Sequence, residues 1–405
     1  MLSAQEALDL LLSAARTVNE TEALATVDAT GRVLAADQLS QLDVPPMDNT
    51  QMDGYAVYSA DCTSGSASLP VSQRIPAGHV GQPLQRGSAA RIFTGALIPE
   101  GADAVVMQEQ CGFNEASGQV TINHAPKSGE WIRRRGEDIR AGSTLLARGT
   151  RLRAQELGLA ASVGLARLPV FRRLKVAIFF TGDELTMPGE PLKPGAIYNS
   201  NRFTLRGLLQ QLGCEVTDLG NVPDSFESTR NALREAAREH DLIVTSGGVS
   251  VGEEDHVKPA VEAEGRLNMW QIAIKPGKPL AFGEVRRSSH PDPAFFIGLP
   301  GNPVSSFVTF LLFVRPFILA LQGAVVMPPR RYPMRADFDW IKADRRNEFL
   351  RVRVNDQQGL DLFPNQSSGV LTSTVWGDGL IDNPPGQAIK SGDTVPFIPF
   401  SELLY

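Results

Sequence analysis

Between residues 174 and 324 the chain switches repeatedly between short apolar runs and segments of helical periodicity, and this alternation constrains the fold more than any other feature. Lys175 to Phe180 reads as a buried strand that ends in Thr181-Gly182-Asp183. Arg202 to Leu212 carries Leu205, Leu208, Leu209 and Leu212 at helical spacing and stops at Gly213. Cys214 to Leu219 follows as a strand, and Phe226 to His240 as a polar-faced helix with Asp224 or Ser225 as candidate N-cap. Leu242 to Thr245 is a strand running into Ser246-Gly247-Gly248; Met269 to Ile274 and Phe295 to Ile297 are two more. Asn302 and Pro303 then open a long helix, Asn at the N-cap and Pro at the first helical position. Apolar strands alternating with helices imply a mostly parallel α/β sheet covered on both faces.

The rest of the 405 residues differs in character, and two to four domains are expected from this length. MLSAQEALDLLLSAA reads as an amphipathic helix with Ala7, Leu8, Leu11, Leu12 and Ala15 on one face, without the basic start and long apolar run of a signal peptide. Residues 22 to 38 read as a strand, a turn and a second helix. Residues 39 to 142 are rich in Gly and Pro, with short alternating stretches such as Val120-Thr121-Ile122, the mark of a small β-rich domain. Residues 143 to 173 return to a helix flanked by short strands. The segment 325 to 405 alternates again around Phe349 to Val354 and reads as a separate β domain. Val304 to Leu321 is apolar enough to suggest a membrane span, but Arg315, Pro316 and three hydroxyl residues mark it as a buried core helix. A net charge of -6 argues against nucleic acid as a partner. Three scattered cysteines without zinc spacing fit a reducing cytoplasm.

In open α/β sheets ligands gather outside the carboxyl ends of the strands. Three such ends stand out here: Thr181-Gly182-Asp183-Glu184; Ser246-Gly247-Gly248 with Ser250, Gly252 and the acidic Glu253-Glu254-Asp255; and Pro300-Gly301-Asn302-Pro303. Glycine lets backbone N–H groups approach a ligand, successive N–H groups make an anion-binding concavity, and a helix N-terminus adds positive charge. One such loop is an ordinary tight turn; three at one sheet edge point to a phosphate-bearing ligand. Lys275 and Lys278, held by prolines in Lys275-Pro276-Gly277-Lys278-Pro279, read equally as an anion grip and as a solvated turn. Glu184, Asp224 and Asp255 would repel a phosphate unless a divalent cation lay between them, the role Mg²⁺ takes with carboxylates and phosphates. Helix capping is the alternative for Asp224. In the β-rich segment, Asp53-Gly54 and Thr94-Gly95 have turn chemistry, and the Arg133–Asp138 run offers either an oxyanion contact or plain surface. No GxSxG motif is present, and the five histidines are scattered.

Seven stretches in one order resemble a known family across nearly the whole chain: DVPPMDNTQMDGYAV, RIFTGALIPEGADAVVMQE, RRRGEDIRAGSTLLARGTRL, VAIFFTGDEL, TSGGVSVGEEDHVK, IKPGKPLAFG and GLPGNPVSSF. The family is that of the molybdopterin molybdenumtransferases, MoeA and the E domain of gephyrin. The resemblance implies a four-part, L-shaped subunit: an α/β part (1–20 plus 174–324), a linking α+β part (21–38 plus 143–173), a β-rich part (39–142) and a C-terminal β-barrel-like part (325–405). It also implies a cytoplasmic homodimer whose site is shared between subunits, with other cofactor-biosynthesis proteins as further partners. The reaction it implies joins molybdate to adenylylated molybdopterin, with Mg²⁺, to give molybdenum cofactor and AMP.

Carried over residue by residue, the family's functional positions fall on Asp53, Thr94, Asp138, Glu184, Asp224, Asp255, Lys275, Lys278, Pro300 and Pro303. On this reading Asp53, Thr94, Glu184 and Asp255 are catalytic, with Glu184 and Asp255 the metal ligands. The glycine-loop residues, Asp224, the two lysines, Arg135 and Asp138 bind substrate. Tungstate has nearly the size and charge of molybdate and fits the same role. Phe180, His256 and Trp376 depart from the family's usual residues, the first two in ways that would reshape the pocket. Two other readings are a molybdopterin adenylyltransferase, which resembles the α/β domain alone, and a non-catalytic scaffold like gephyrin's E domain.

Overall fold

A computed structural model describes residues 1–248, 256–288 and 290–404. They form two compact units: Met1–Ala36, Arg148–Arg153 and Arg167–Tyr405 in one, Asp37–Ala147 and Ala154–Ala166 in the other.

The first unit is built on a six-stranded sheet in the order Glu215–Val222, Lys175–Thr181, Leu242–Ser246, Ala294–Leu299, Pro279–Val285, Gly265–Gln271. The first four run parallel and the last two are antiparallel additions. Strand side chains alternate between faces. Ala177, Phe179, Ile243 and Phe296 pack under the helices Phe226–Glu239 and Val257–Glu264. Val176, Ile178, Phe180, Val244 and Ile297 pack under Ser200–Gln211, the N-terminal helix and the long C-terminal one. Both faces are covered, as the alternating pattern requires.

Three elements differ from the sequence expectation. Pro279–Val285 has no clean apolar signature, because Gly283 and Glu284 fall within it; a Cβ on Gly283 would meet the Arg266 carbonyl oxygen at 2.4 Å. The expected strand from Met269 to Ile274 divides into Gly265–Gln271 and Ile274–Lys275, each in a different sheet. The second helix expected within residues 22–38 is absent: after the strand Thr21–Ala25 comes one 3₁₀ turn, and Val33 and Leu34 form extended bridges to Arg151 and Val170.

The N-terminal helix Ala4–Ala14 starts at a capping box, Ser3 with Glu6, and buries Ala7 and Leu11. The segment Pro303–Leu321 is long and apolar enough to cross a membrane, yet 83% of its apolar window is buried inside the unit. It is α-helical to Thr309, π-helical over Phe310–Val314 and α-helical again from Arg315. Pro316, which has no N–H to give the preceding turn, follows the π segment.

A second sheet in this unit runs Ile274–Lys275, Asn347–Val354, Gly379–Asn383, Thr394–Pro399, Tyr332–Arg335. Ile274–Lys275 pairs in parallel with Asn347 and Glu348, so the chain leaving the α/β sheet becomes the edge of the C-terminal one.

The other unit is a six-stranded sheet, Ala104–Met107, Gly54–Val57, Ala89–Ile92, Ala67–Ile75, Gln119–Ile122, Cys111–Asn114, with small cores around Tyr55, Val106 and Val120 and around Ala56, Ile92 and Val105. Two two-stranded ribbons, Asn49–Thr50 with Ile132–Arg133 and Gln38–Leu39 with Thr144–Leu146, and the helix Ala154–Ser162 belong to it as well.

Phe317 is fully buried edge-on against Phe282 at 5.5 Å and Phe295 at 5.1 Å. Phe317→Ala should lower the urea stability of this unit by about 3–5 kcal/mol. A loss below about 1 kcal/mol would contradict this packing.

Candidate functional site

The parallel strands end at Thr181, Ser246 and Leu299. From Lys175–Thr181 the chain passes outward to Glu215–Val222, then back across to Leu242–Ser246, so a topological switch point lies between the first and third strands. The loops there are locked together by polar contacts. Gly247 N donates to Leu299 O at 3.1 Å, and Ser246 Oγ donates to Pro300 O at 2.9 Å. Asn201 Nδ2 donates to Ser246 Oγ and to Gly301 O, both at 2.8 Å. Gly247 has φ +97°, and a Cβ there would sit 2.8 Å from Thr181 O. Only glycine satisfies both conditions.

Beside these loops lies a cleft of about 680 Å³. Gly247, Gly248, Pro300, Gly301, Asn302 and Glu184 line one side, and Lys275 to Pro279 another. The remaining wall, Arg346 with Gln366, Ser367 and Ser368, comes from the C-terminal segment. The sequence reading assigned none of these four to the site; a basic residue beside the Asn347–Val354 strand and a Ser-Ser-Gly turn are the signals that mark them.

The cations of this cleft are unequally compensated. Lys275 Nζ lies 3.0 Å from Glu348 Oε1 and 3.5 Å from Asp344 Oδ2. Glu348, 1% exposed, also accepts from Trp340 Nε1. Arg346 pairs with Asp344 at 2.9 Å, and its hydrogen bonds hold that carboxyl well below the usual range. Lys278 is exposed and has no ion-pair partner among the described residues. The helix at Pro303 starts as expected, but the Asn302 side chain makes no cap, and Val304 N donates to Ser368 O at 2.9 Å. One N–H of this helix start, that of Val304, is therefore already engaged.

Among the carboxylates, Glu184 lines the cleft, folded back over Gly182, where a Cβ would come within 2.5 Å of Oε2. Asp183 is exposed and outside the lining; Gly182, Asp224 and Pro303 are half-buried and also outside it. Ser225, not Asp224, caps the helix Phe226–Glu239 by accepting from Ser228 N, which removes capping as the reason for Asp224. Thr181 is 3% exposed, its hydroxyl buried without a partner among the described residues. Ser250, Gly252 and Asp255 lie outside the described residues. Among the described residues no three His, Cys, Asp or Glu side chains cluster to hold a metal. Phe180 is buried in the core and is not part of the cleft's lining; His256 precedes the helix Val257–Glu264 and does not line it either. Trp376 packs on Phe363 at 5.2 Å.

In the other unit Asp53 and Thr94 meet. Thr94 donates to Asp53 Oδ1 from both its N–H and its Oγ1, each at 2.7 Å. The backbone N–H first, and the hydroxyl second, lower the Asp53 pKa. Arg135 Nε pairs with Asp43 at 2.6 Å, so its charge is already offset, while Asp138 is exposed next to it and bound to Val44 O through its backbone N–H.

A smaller cavity of about 190 Å³ lies at the amino ends of the strands, lined by Arg16, Arg172, Asp241 and Arg287. Arg172 and Arg287 pair with Asp241 and Arg16 with Glu284, a structural ion-pair network.

These features define an α/β protein with a basic cleft at its strand ends, one wall of which comes from the C-terminal segment. Known proteins narrow that class. Residues 2–164 match the MoeA N-terminal region (domain I and II), 177–320 the probable molybdopterin binding domain, and 333–400 the MoeA C-terminal region (domain IV). The chain is 41% identical over 415 residues to a Haemophilus influenzae protein named molybdopterin molybdenumtransferase, covering 100% of both. It is 38% identical over 390 residues to one of that name from Nostoc, covering 93% of this chain and 88% of that one. The crystal structure of a molybdopterin biosynthesis moeA protein from Pyrococcus horikoshii superposes with a TM-score of 0.84 at 28% identity, covering 98% of this chain and 100% of that one. The chain belongs to the molybdopterin molybdenumtransferase (MoeA) family.

The folded-state pKa of Asp53 is lowered, so its bond to Thr94 is fully formed above the ordinary aspartate value and is lost as pH falls through the folded value. Carboxyl NMR should show Asp53 titrating below about 3.9, and Thr94→Ala should move it back up towards that value. An unchanged midpoint in Thr94→Ala would contradict this origin.

Proposed function

We propose that this protein is a molybdenum insertase: it takes adenylylated molybdopterin and molybdate and forms molybdenum cofactor with release of AMP. The observation that carries this reading is the single cleft in which glycine loops, Lys275, Lys278, Arg346 and one carboxylate, Glu184, come together. A pyrophosphate and a tetrahedral oxyanion have the chemistry those groups recognise. Backbone at Gly247, Gly248 and Gly301 can approach phosphate oxygens without side-chain obstruction. Lys278 and Arg346 suit the oxyanion as a point charge and a planar fork.

Glu184 fits a Mg²⁺ ion that keeps most of its ligands from water and phosphate, and Asp255 would join it. When bound, that ion offsets the charge of the pyrophosphate. Asp53, held as a carboxylate by Thr94, is too weak a base to take a proton readily. Its role on this reading is to orient the water that cleaves the pyrophosphate, supplied to the cleft by the second subunit of a homodimer. The family's names support a transferase, and matches through both flanking regions disfavour an adenylyltransferase built from the α/β domain alone. The four-part division, a cytoplasmic location and contact with other cofactor-biosynthesis proteins belong to the same proposal.

The test is AMP release from adenylylated molybdopterin with Mg²⁺, with and without molybdate. Wild type should depend on molybdate, and Asp53→Asn should release no AMP at a comparable rate. Lys278→Ala should raise the KM for molybdate roughly 10- to 100-fold, the worth of one charge-assisted hydrogen bond. Molybdate-independent release, or none, would refute the reading.

A further inference from the structure

Arg351 is 1% exposed, the largest fully buried side chain among the described residues. No carboxylate among them lies within ion-pair distance of it. Its guanidinium is held by neutral oxygens alone. Nε donates to Ser373 Oγ, Nη1 to Phe349 O and Nη2 to Ser367 O, each at 3.2 Å. Burial pulls it down to about 10, which still leaves it charged at neutral pH.

A position that only needs filling is served as well by an apolar side chain, because desolvating a charge is costly. This charge sits behind the cleft wall. Gln366 clasps the Arg351 backbone, accepting from its N–H at 2.9 Å and donating to its carbonyl at 3.0 Å. Gln366, Ser367 and Ser368 all line the cleft. The Ser367 carbonyl that accepts from Nη2 belongs to the same peptide as the Ser368 N–H, so the guanidinium polarises that N–H as a donor. Lys275 and Arg346 are offset by Glu348 and Asp344, whereas Arg351 and Lys278 have no counter-ion among the described residues.

We propose that Arg351 is a positioning residue for the oxyanion: it fixes the Gln366–Ser368 loop from behind and gives the cleft a permanent positive charge that favours a doubly charged tetrahedral anion over a singly charged one. This rests on the reading that the cleft takes molybdate. Calorimetry on the full chain at fixed ionic strength, with molybdate as dianion and perrhenate as monoanion of the same shape, tests it. Wild type should prefer molybdate. Arg351→Met, which loses the charge and the three bonds together, should weaken both anions but molybdate roughly tenfold more than perrhenate, so the ratio collapses. Arg351→Lys, which keeps the charge but not the three bonds, should weaken both anions and keep the ratio. A folded Arg351→Met protein with the wild-type ratio overturns this inference alone. Wild type that binds neither anion overturns the functional reading and this inference with it. Should Arg351→Met fail to fold, ¹⁵N spectra of the wild type decide: molybdate must shift the Arg351 guanidinium resonances more than perrhenate does, and equal or absent shifts overturn the proposal.

Discussion

The approach of three backbone segments at Gly247 is the constraint on which the candidate site depends. Thr181 O, Leu299 O and the Gly301 loop close around an α-carbon that has no room for a side chain. Parallel strands bring their carboxyl ends to one edge, and backbone can crowd together there only where glycine stands. Ser246 and Asn201 then fasten the loops with three hydrogen bonds in which the Ser246 hydroxyl both accepts and donates. Rigid, side-chain-free backbone beside a cleft is what a bulky phosphorylated ligand requires.

The charge pattern follows from a second piece of topology. Because Ile274–Lys275 leaves the α/β sheet to pair with Asn347 and Glu348, Lys275 is fixed beside a buried glutamate. The same junction brings Arg346 and the Ser367–Ser368 turn to the cleft. Two of the cleft's cations are thereby oriented by carboxylates behind them, and Lys278 keeps its charge for a ligand. The C-terminal sheet is thus a wall of the site as well as a separately packed core.

The parallel strands and most helices were legible in the sequence because burial on both faces leaves uninterrupted apolar runs, as at Val176–Phe180 and Leu242–Val244. Pro279–Val285 was not, since its glycine answers to a neighbouring strand rather than to a local pattern. The glycine loops and lysines of the cleft were legible as motifs. Arg346, Ser367 and Ser368 were not, because a residue's place in a site assembled from distant segments leaves no local signal. Arg351 was misleading: alternation along Phe349 to Val354 gives no hint that an arginine there is buried. The resemblance to a family added functional positions, and geometry sorts these further. Lys278 and Glu184 line the cleft, while Asp183 and Asp224 do not.

The central claim is that the cleft between the glycine loops and the C-terminal sheet receives the oxyanion. Anomalous diffraction at the tungsten edge, from crystals soaked in tungstate, locates that ion without ambiguity. The account predicts a peak among Lys278, Arg346 and Ser368, lost in Lys278→Ala crystals. A tungstate peak only at the amino ends of the strands, or only in the Asp37–Ala147 unit, would contradict it.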